Sequence, residues 1–190
     1  MKTITVLVGS LRQNSMNRAL ARALEVAGKD RFRFVYADLA PLPMYNDDLW
    51  ADVPDAVTAL KQQLAETDGV LFVTPEYNRS IPPVLSNAIA WASKPYGENS
   101  WAGLPAAVAG TSPGPVGAAG AQIHLKSMLP VLDMLVFGQP ELYVQGSADM
   151  FDDTLGTTRE DTRVFFEDWA AKFDAFLDRV ARQDTRIAAE

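Results

Sequence analysis

Cysteine is absent and histidine occurs once, at position 124. Without a thiol the chain can form no disulfide, thiolate nucleophile, Cys-ligated zinc or iron–sulfur centre, and no CxxC redox couple. Any redox chemistry must be carried by a cofactor. The lone His124 excludes a multi-histidine metal site and gives a Ser-His-Asp triad a single candidate base, so hydrolase readings start weak. Positive charge is also scarce. Seventeen Lys plus Arg stand against 24 Asp plus Glu, for a net charge of -7 and a pI near 4.7, and no basic cluster could track a phosphate backbone. Nucleic acid is not an expected partner. Nowhere do about 18 apolar residues run together, so no membrane partner is expected. The apolar start is interrupted by Gly9, Ser10 and Arg12, too early for a signal peptide, and the reading is cytoplasmic. What is present is ordinary: 190 residues, 48% hydrophobic and 22% charged, with no repeat, low-complexity tract or linker. Residues 1–190 read as one domain.

Five short apolar runs alternate with longer segments of helical period, the pattern of a parallel sheet with crossover helices. Ile4 to Val8 is β-branched and continuously apolar, as a central strand covered on both faces should be. Met16, Leu20, Leu24 and Ala27 then recur at three- and four-residue steps and predict a helix. Phe32, Phe34 and Tyr36 alternate with Arg31, Arg33 and Val35, as on a strand with one face less buried, near the sheet edge. A helix carries Val57, Leu60 and Leu64 with Pro54 in its first turn; Val70 to Val73 is a third strand. Pro82 and Pro83 open the next helix, with Leu85, Ile89 and Ala92 as its stripe. Ala106 to Ala109 is a fourth strand. Ile123, Met128, Leu129 and Leu132 make a helix that Pro130 should bend or end. Leu142 and Val144 are a fifth strand. Phe166, Trp169, Phe173, Phe176 and Val180 form the apolar face of a terminal helix that should dock on the sheet. The fold class is therefore α/β: a flavodoxin-like three-layer α/β/α sandwich with a five-stranded parallel sheet in the order 2-1-3-4-5. In that order the binding crevice opens at the carboxyl ends of strands 1 and 3.

Two loops lie there. Gly9-Ser10-Leu11-Arg12-Gln13-Asn14-Ser15-Met16-Asn17 offers hydroxyls, amides and a guanidinium just before a helix whose N-terminal N–H groups favour an anion. It is a candidate phosphate site. It is neither a Walker A loop nor a GxGxxG turn, because Gly9 is its only glycine, so side chains must do part of the cradling. Taken singly, Ser15 reads as an N-cap, Asn17 as a turn residue and Arg12 as a solvated charge. Thr74-Pro75-Glu76-Tyr77-Asn78-Arg79-Ser80, the second loop, could present backbone donors and acceptors to the polar edge of a planar heterocycle. A phosphate at one loop and a flat ring at the other describe FMN better than an extended dinucleotide.

At these residues the chain resembles the NAD(P)H-dependent FMN reductases, a family that includes bacterial chromate and quinone reductases. The family patterns G-S-x-R-x-x-S-x-N and T-P-E-Y-N-x-S-x-P match Gly9 to Asn17 and Thr74 to Pro82, and the likeness runs to about Val144. The resemblance implies that Ser10, Arg12, Ser15, Met16 and Asn17 hold the FMN phosphate. It further implies that Pro75, Glu76, Tyr77 and Asn78 border the isoalloxazine, with Ser112, Pro113 and Gly114 at the ring's other edge. NADPH or NADH would be the co-substrate, a quinone or similar small molecule the acceptor, and a homodimer or homotetramer the assembly. Pro83, Ala90 and Arg79 depart from the commonest family residues.

In such a mechanism the flavin carries the electrons, and no side chain is required as nucleophile or acid–base pair. No catalytic residue and no metal ligand is assigned. Arg79, near the mouth of the site, is a candidate for an anionic group of substrate or nucleotide, against a plain solvated charge. His124 reads as a helix-surface or interface residue, with proton donation to a reduced quinone as the other reading. A flavodoxin-type electron carrier, docking through its acidic surface, is the competing function; a phosphate-binding hydrolase or non-redox ligand sensor is the third. Trp50, Trp91, Trp101 and Phe151, near loops and helix ends, are candidate interface aromatics, against ordinary core packing.

Overall fold

Alternation of side chains along the strands sorts the core into two layers. The computed structural model describes residues 1–147, 149–154 and 156–187, with side chains to residue 182. Lys2–Val8 (β1) is buried over its last five residues, and Gly69–Val73 (β3) over its whole length. Both are covered on both faces. Ile4, Val6 and Val8 face one layer with Leu71 and Val73; Leu7 faces the other with Val70 and Phe72. Phe32–Tyr36 (β2) pairs only with β1 and is part-exposed, which is the edge position its alternation predicted. Pro105–Ser112 (β4) extends the alanine run at both ends and pairs with β3. All ladders of this sheet are parallel, in the order β2-β1-β3-β4 followed by Leu135–Val136 (β5).

The fifth position differs from a single strand at Leu142 and Val144. It is built from two pieces, Leu135–Val136 (β5) on Pro105 and Ala106, and Leu142–Gln145 (β6) on Ala109 to Ser112. The ladder's last bond of the first piece is Phe137 N–H to Ala106 O at 2.8 Å. Pro140 has no N–H to contribute before the chain rejoins β4.

Met16–Gly28 (α1) and Glu160–Ile187 (α5) cover one face; Asp55–Ala65 (α2), Pro83–Ala92 (α3) and Ala119–Met128 (α4) cover the other. A small antiparallel pair, Phe151–Asp152 (β7) and Gly156–Thr157 (β8), packs against α1. On α5, Phe166, Trp169 and Phe173 are buried as expected, with the Trp169 and Phe173 rings stacked at 5.4 Å. Lys2 pairs with Asp174 and Asp178, tying the start of β1 to this helix. Pro82 caps α3 and Pro83 is its first residue, where a missing N–H costs nothing.

Two further expectations are corrected. Trp91 and Trp101 are core residues rather than an exposed cluster, and each indole N–H donates to a carbonyl, of Pro43 at 2.7 Å and of Ile89 at 3.0 Å. Only Trp50 and Phe151 of that group keep partial exposure. On α4, Ile123 is 61% exposed, while Ala121, Gln122 and Leu125 face the core. Gln122 can be buried because its amide donates to Gly117 O and Leu142 O, bridging α4 to β6. Pro130 does end the α-helix: a 3-10 turn, Leu129–Leu132, follows Met128.

Candidate active site

Gly9, at the end of β1, sets how closely the first two loops approach. Its N–H donates to Val73 O at 2.8 Å, and a Cβ there would stand 2.8 Å from Pro82 Cγ and 3.3 Å from Pro75 Cδ. Only glycine allows this contact. The crevice therefore has three loops on one rim, after β1, β3 and β4.

In the first loop, Ser15 is the N-cap of α1: its Oγ accepts from Arg18 N–H at 3.3 Å. The N–H groups of Met16 and Asn17 precede the first intrahelical bonds and have no partner among the described residues. The loop that leads into the helix carries Ser10, which is buried, and Arg12, which is exposed and unpaired among the described residues. Two amides without a partner among the described residues, a hydroxyl and a guanidinium are donors of the kind a phosphate takes, so the residues present fit the group that the resemblance implies. Asn17 does something the sequence did not reveal. Its side chain is buried and closes a two-bond bridge to the end of β4, with Nδ2 donating to Thr111 O and Oδ1 accepting from Thr111 N–H, both at 3.0 Å. What it can offer a phosphate is its backbone N–H.

In the second loop Tyr77 and Ser80 exchange both backbone hydrogen bonds, at 3.0 and 2.9 Å, around Asn78 and Arg79. Both central residues have left-handed backbone, φ 53° and 64°. The Tyr77 N–H and C=O are thereby occupied, leaving those of Asn78 for a ligand edge, while the Tyr77 ring is half exposed. Glu76 turns its carboxylate to the start of α4 and to Arg79. Its Oε2 accepts from Ala121 N–H at 3.1 Å at the start of α4, and its Oε1 pairs with Arg79 at 2.8 Å. A Cβ on Gly120 would come within 2.9 Å of that carboxylate. Burial pushes the Glu76 carboxyl up, but the Ala121 N–H, the Arg79 guanidinium and the Gly120 N–H outweigh it and hold it below its ordinary 4.5. A carboxyl with a depressed folded pKa contributes stability that is complete above the unfolded value and lost as pH falls through the folded one. The stability advantage of the native protein over Glu76→Gln should accordingly shrink on acidification below about 4.5, followed by urea unfolding at several pH values. A pH-independent difference would refute the charge as its source.

In the third loop Ser112 Oγ accepts from Ala118 N–H and donates to Gly114 O, both at 3.3 Å, so it shapes the turn itself. Pro113 is exposed. A cleft of about 540 Å³ runs from Met16 past Pro113 to Gly146, Ser147 and Arg159, and another of about 410 Å³ continues from Met16 along Ser15 and Arg18 to Phe151. A cleft of about 600 Å³ at the opposite end of α1, beside Lys29 and Arg31, collects none of the candidate residues. His124 lies exposed on α4, with Nδ1 2.8 Å from Ser80 Oγ. Sequence reasoning also missed Asn87, a buried amide on α3 that accepts from Tyr45 N–H and donates to Pro43 O, both at 2.8 Å. A lone polar residue inside an apolar helix face was its only signal.

The sequence pattern of the NADPH-dependent FMN reductase family matches residues 2–149. The chain belongs to that family. It is 43% identical over 174 residues to a 2-hydroxy-1,4-benzoquinone reductase of Burkholderia sp, covering 92% of this chain and 95% of that protein. It is 40% identical over 176 residues to a quinone reductase of Pseudomonas putida, covering 92% and 94%. Among solved structures, the flavoenzyme NAD(P)H:(acceptor) oxidoreductase FerB from Paracoccus denitrificans superposes with a TM-score of 0.91 at 44% identity, covering 94% of this chain and 98% of that one. A flavodoxin, WrbA-like protein from Agrobacterium tumefaciens, at 17% identity and a TM-score of 0.58, shares the fold alone. The family member described here is an NAD(P)H-dependent oxidoreductase of the FMN class with a flavodoxin-like fold.

Proposed function

We propose that this reductase passes electrons from NAD(P)H to quinones, with FMN seated across the three loops. The observation that carries the reading is the free donor set at the start of α1, held against the ends of β3 and β4. FMN, when bound, accepts a hydride from the nicotinamide and delivers two electrons to the acceptor. The chain's own part is placement. Met16 and Asn17 N–H, the Ser10 hydroxyl and the Arg12 guanidinium hold the phosphate, with Ser15 fixing the helix start. Asn78 and the Pro75 to Tyr77 backbone border one edge of the ring, and Ser112, Pro113 and Gly114 the other. Tyr77 supplies an exposed ring at the rim. Arg79, ion-paired to Glu76 yet largely exposed, turns a cationic edge toward an anionic substrate group.

The relatives named as quinone reductases support the acceptor class. No described helix is long and apolar enough to cross a membrane. We place the enzyme in the cytoplasm, where nicotinamide nucleotides are supplied, as a homodimer or homotetramer. The exposed apolar side chains Ile123 and Val131 support self-association.

An absorption spectrum after FMN loading and removal of excess, followed by anaerobic NADPH or NADH, tests the reading. A bound flavin that bleaches with nucleotide and recolours with quinone is expected. Flavin that binds without bleaching would indicate an electron carrier, and no binding would overturn the site.

A further inference from the structure

The second loop is held to α4 at both of its ends. Ala121 N–H binds Glu76 at 3.1 Å, and three residues further along the same helix face the His124 ring binds Ser80 at 2.8 Å. Between these anchors lies the tight turn in which Asn78 and Arg79 both adopt left-handed backbone. Arginine has no intrinsic preference for that conformation, so surrounding contacts must impose it. The Glu76–Arg79 ion pair is one such contact, at 2.8 Å, and through Ala121 N–H it ties the Glu76 end of the turn to α4, which leaves the Ser80 end to a separate anchor. Ser80 is the residue whose backbone closes the turn on Tyr77, and its hydroxyl meets the chain's only imidazole. Among the described residues the ring bonds through Nδ1, and it lies outside the core: the buried residues of α4 are Ala121, Gln122 and Leu125.

We propose that His124 is a positioning residue: through Ser80 it holds the Tyr77–Ser80 turn in the geometry that presents Asn78 and the Tyr77 ring to flavin and acceptor. This rests on the flavin reading above. His124 touches no reacting atom. Its contribution is to select one arrangement of a turn that the sequence alone would leave free to relax.

The test uses His124→Ala, Ser80→Ala, the double variant and His124→Asn, whose amide can reproduce the Nδ1 contact. Amide hydrogen exchange at Tyr77 and Ser80 is read first, on protein without flavin. Exchange about tenfold faster in each alanine variant, no faster in the double variant and near native in His124→Asn is expected, with β1 and β3 unchanged. Native exchange in His124→Ala, or effects that multiply in the double variant, would overturn the proposal. With FMN and saturating NADPH, the alanine variants should raise the quinone KM about fivefold while kcat stays within about twofold. An unchanged KM would also overturn it. A native protein that does not bind or bleach FMN would remove the flavin reading, and the exchange result would still decide the clamp.

Discussion

Asn17→Leu is expected to lower stability by about 4 kcal/mol, because two buried backbone groups lose their partners at about 1–3 kcal/mol each. Leucine has the branched shape of asparagine and is no smaller, so the effect is not a cavity. Thr111 N–H and Thr111 O, each bonded to the Asn17 amide at 3.0 Å, have no route to water in a residue only 1% exposed. Thr111 Oγ1 already lacks a partner among the described residues, so the variant would leave three unsatisfied polar groups on one residue. In a domain of this size the melting temperature should drop by about 10 °C. Asn17→Asp keeps the acceptor for Thr111 N–H but sets an oxygen against Thr111 O, and should recover only part of the loss. Thermal unfolding of the three proteins without flavin checks this. An unchanged midpoint for Asn17→Leu would mean that the bridge is replaceable by water. FMN binding should weaken as well, since the bridge is what registers the start of α1 against the third loop.

That bridge marks where the sequence stopped being readable. Elements whose identity is local were legible: the continuous apolarity of β1 and β3 follows from double-sided burial, and the Phe32, Phe34, Tyr36 alternation follows from the edge. The helix starts at Ser15 and at Pro82–Pro83 follow from capping chemistry that acts within one turn. The loops of the site were legible as sets of donors at the right strand ends. Their partners were not. Asn17 meets a residue 94 positions away, Glu76 one 45 away and Ser80 one 44 away, and no local pattern encodes such pairings. Each polar side chain looked free to meet a ligand when its role is to hold a neighbouring loop. The two-residue strand β5 is too short for any periodicity to show. On α4 the buried Gln122 and exposed Ile123 invert the ordinary pattern, because the Gln122 amide N–H groups find carbonyls at Gly117 and Leu142 inside the core, while its Oε1 has no partner among the described residues.

Arg12 tests the phosphate assignment most directly, because it is exposed and has no partner among the described residues that a substitution would orphan. Arg12→Ala should leave thermal stability within about 0.5 kcal/mol of native. A charge-assisted hydrogen bond contributes about 1.5–3 kcal/mol, so FMN affinity should fall about 10- to 100-fold. Arg12→Lys keeps the charge without the planar fork and should recover part of that loss. Riboflavin shares the ring and ribityl chain but has no phosphate. Its affinity should be the same in native and Arg12→Ala proteins, while that of FMN diverges. The gap between FMN and riboflavin affinity should narrow as ionic strength rises, since an exposed guanidinium is screened over about 10 Å at 0.1 M salt. At saturating FMN, turnover with NADPH and quinone should return to the native rate, because Arg12 holds the phosphate end and not the ring. Equal losses for riboflavin and FMN would mean that Arg12 shapes the loop, and the anion would then rest on Ser10 and the free N–H groups of Met16 and Asn17 alone.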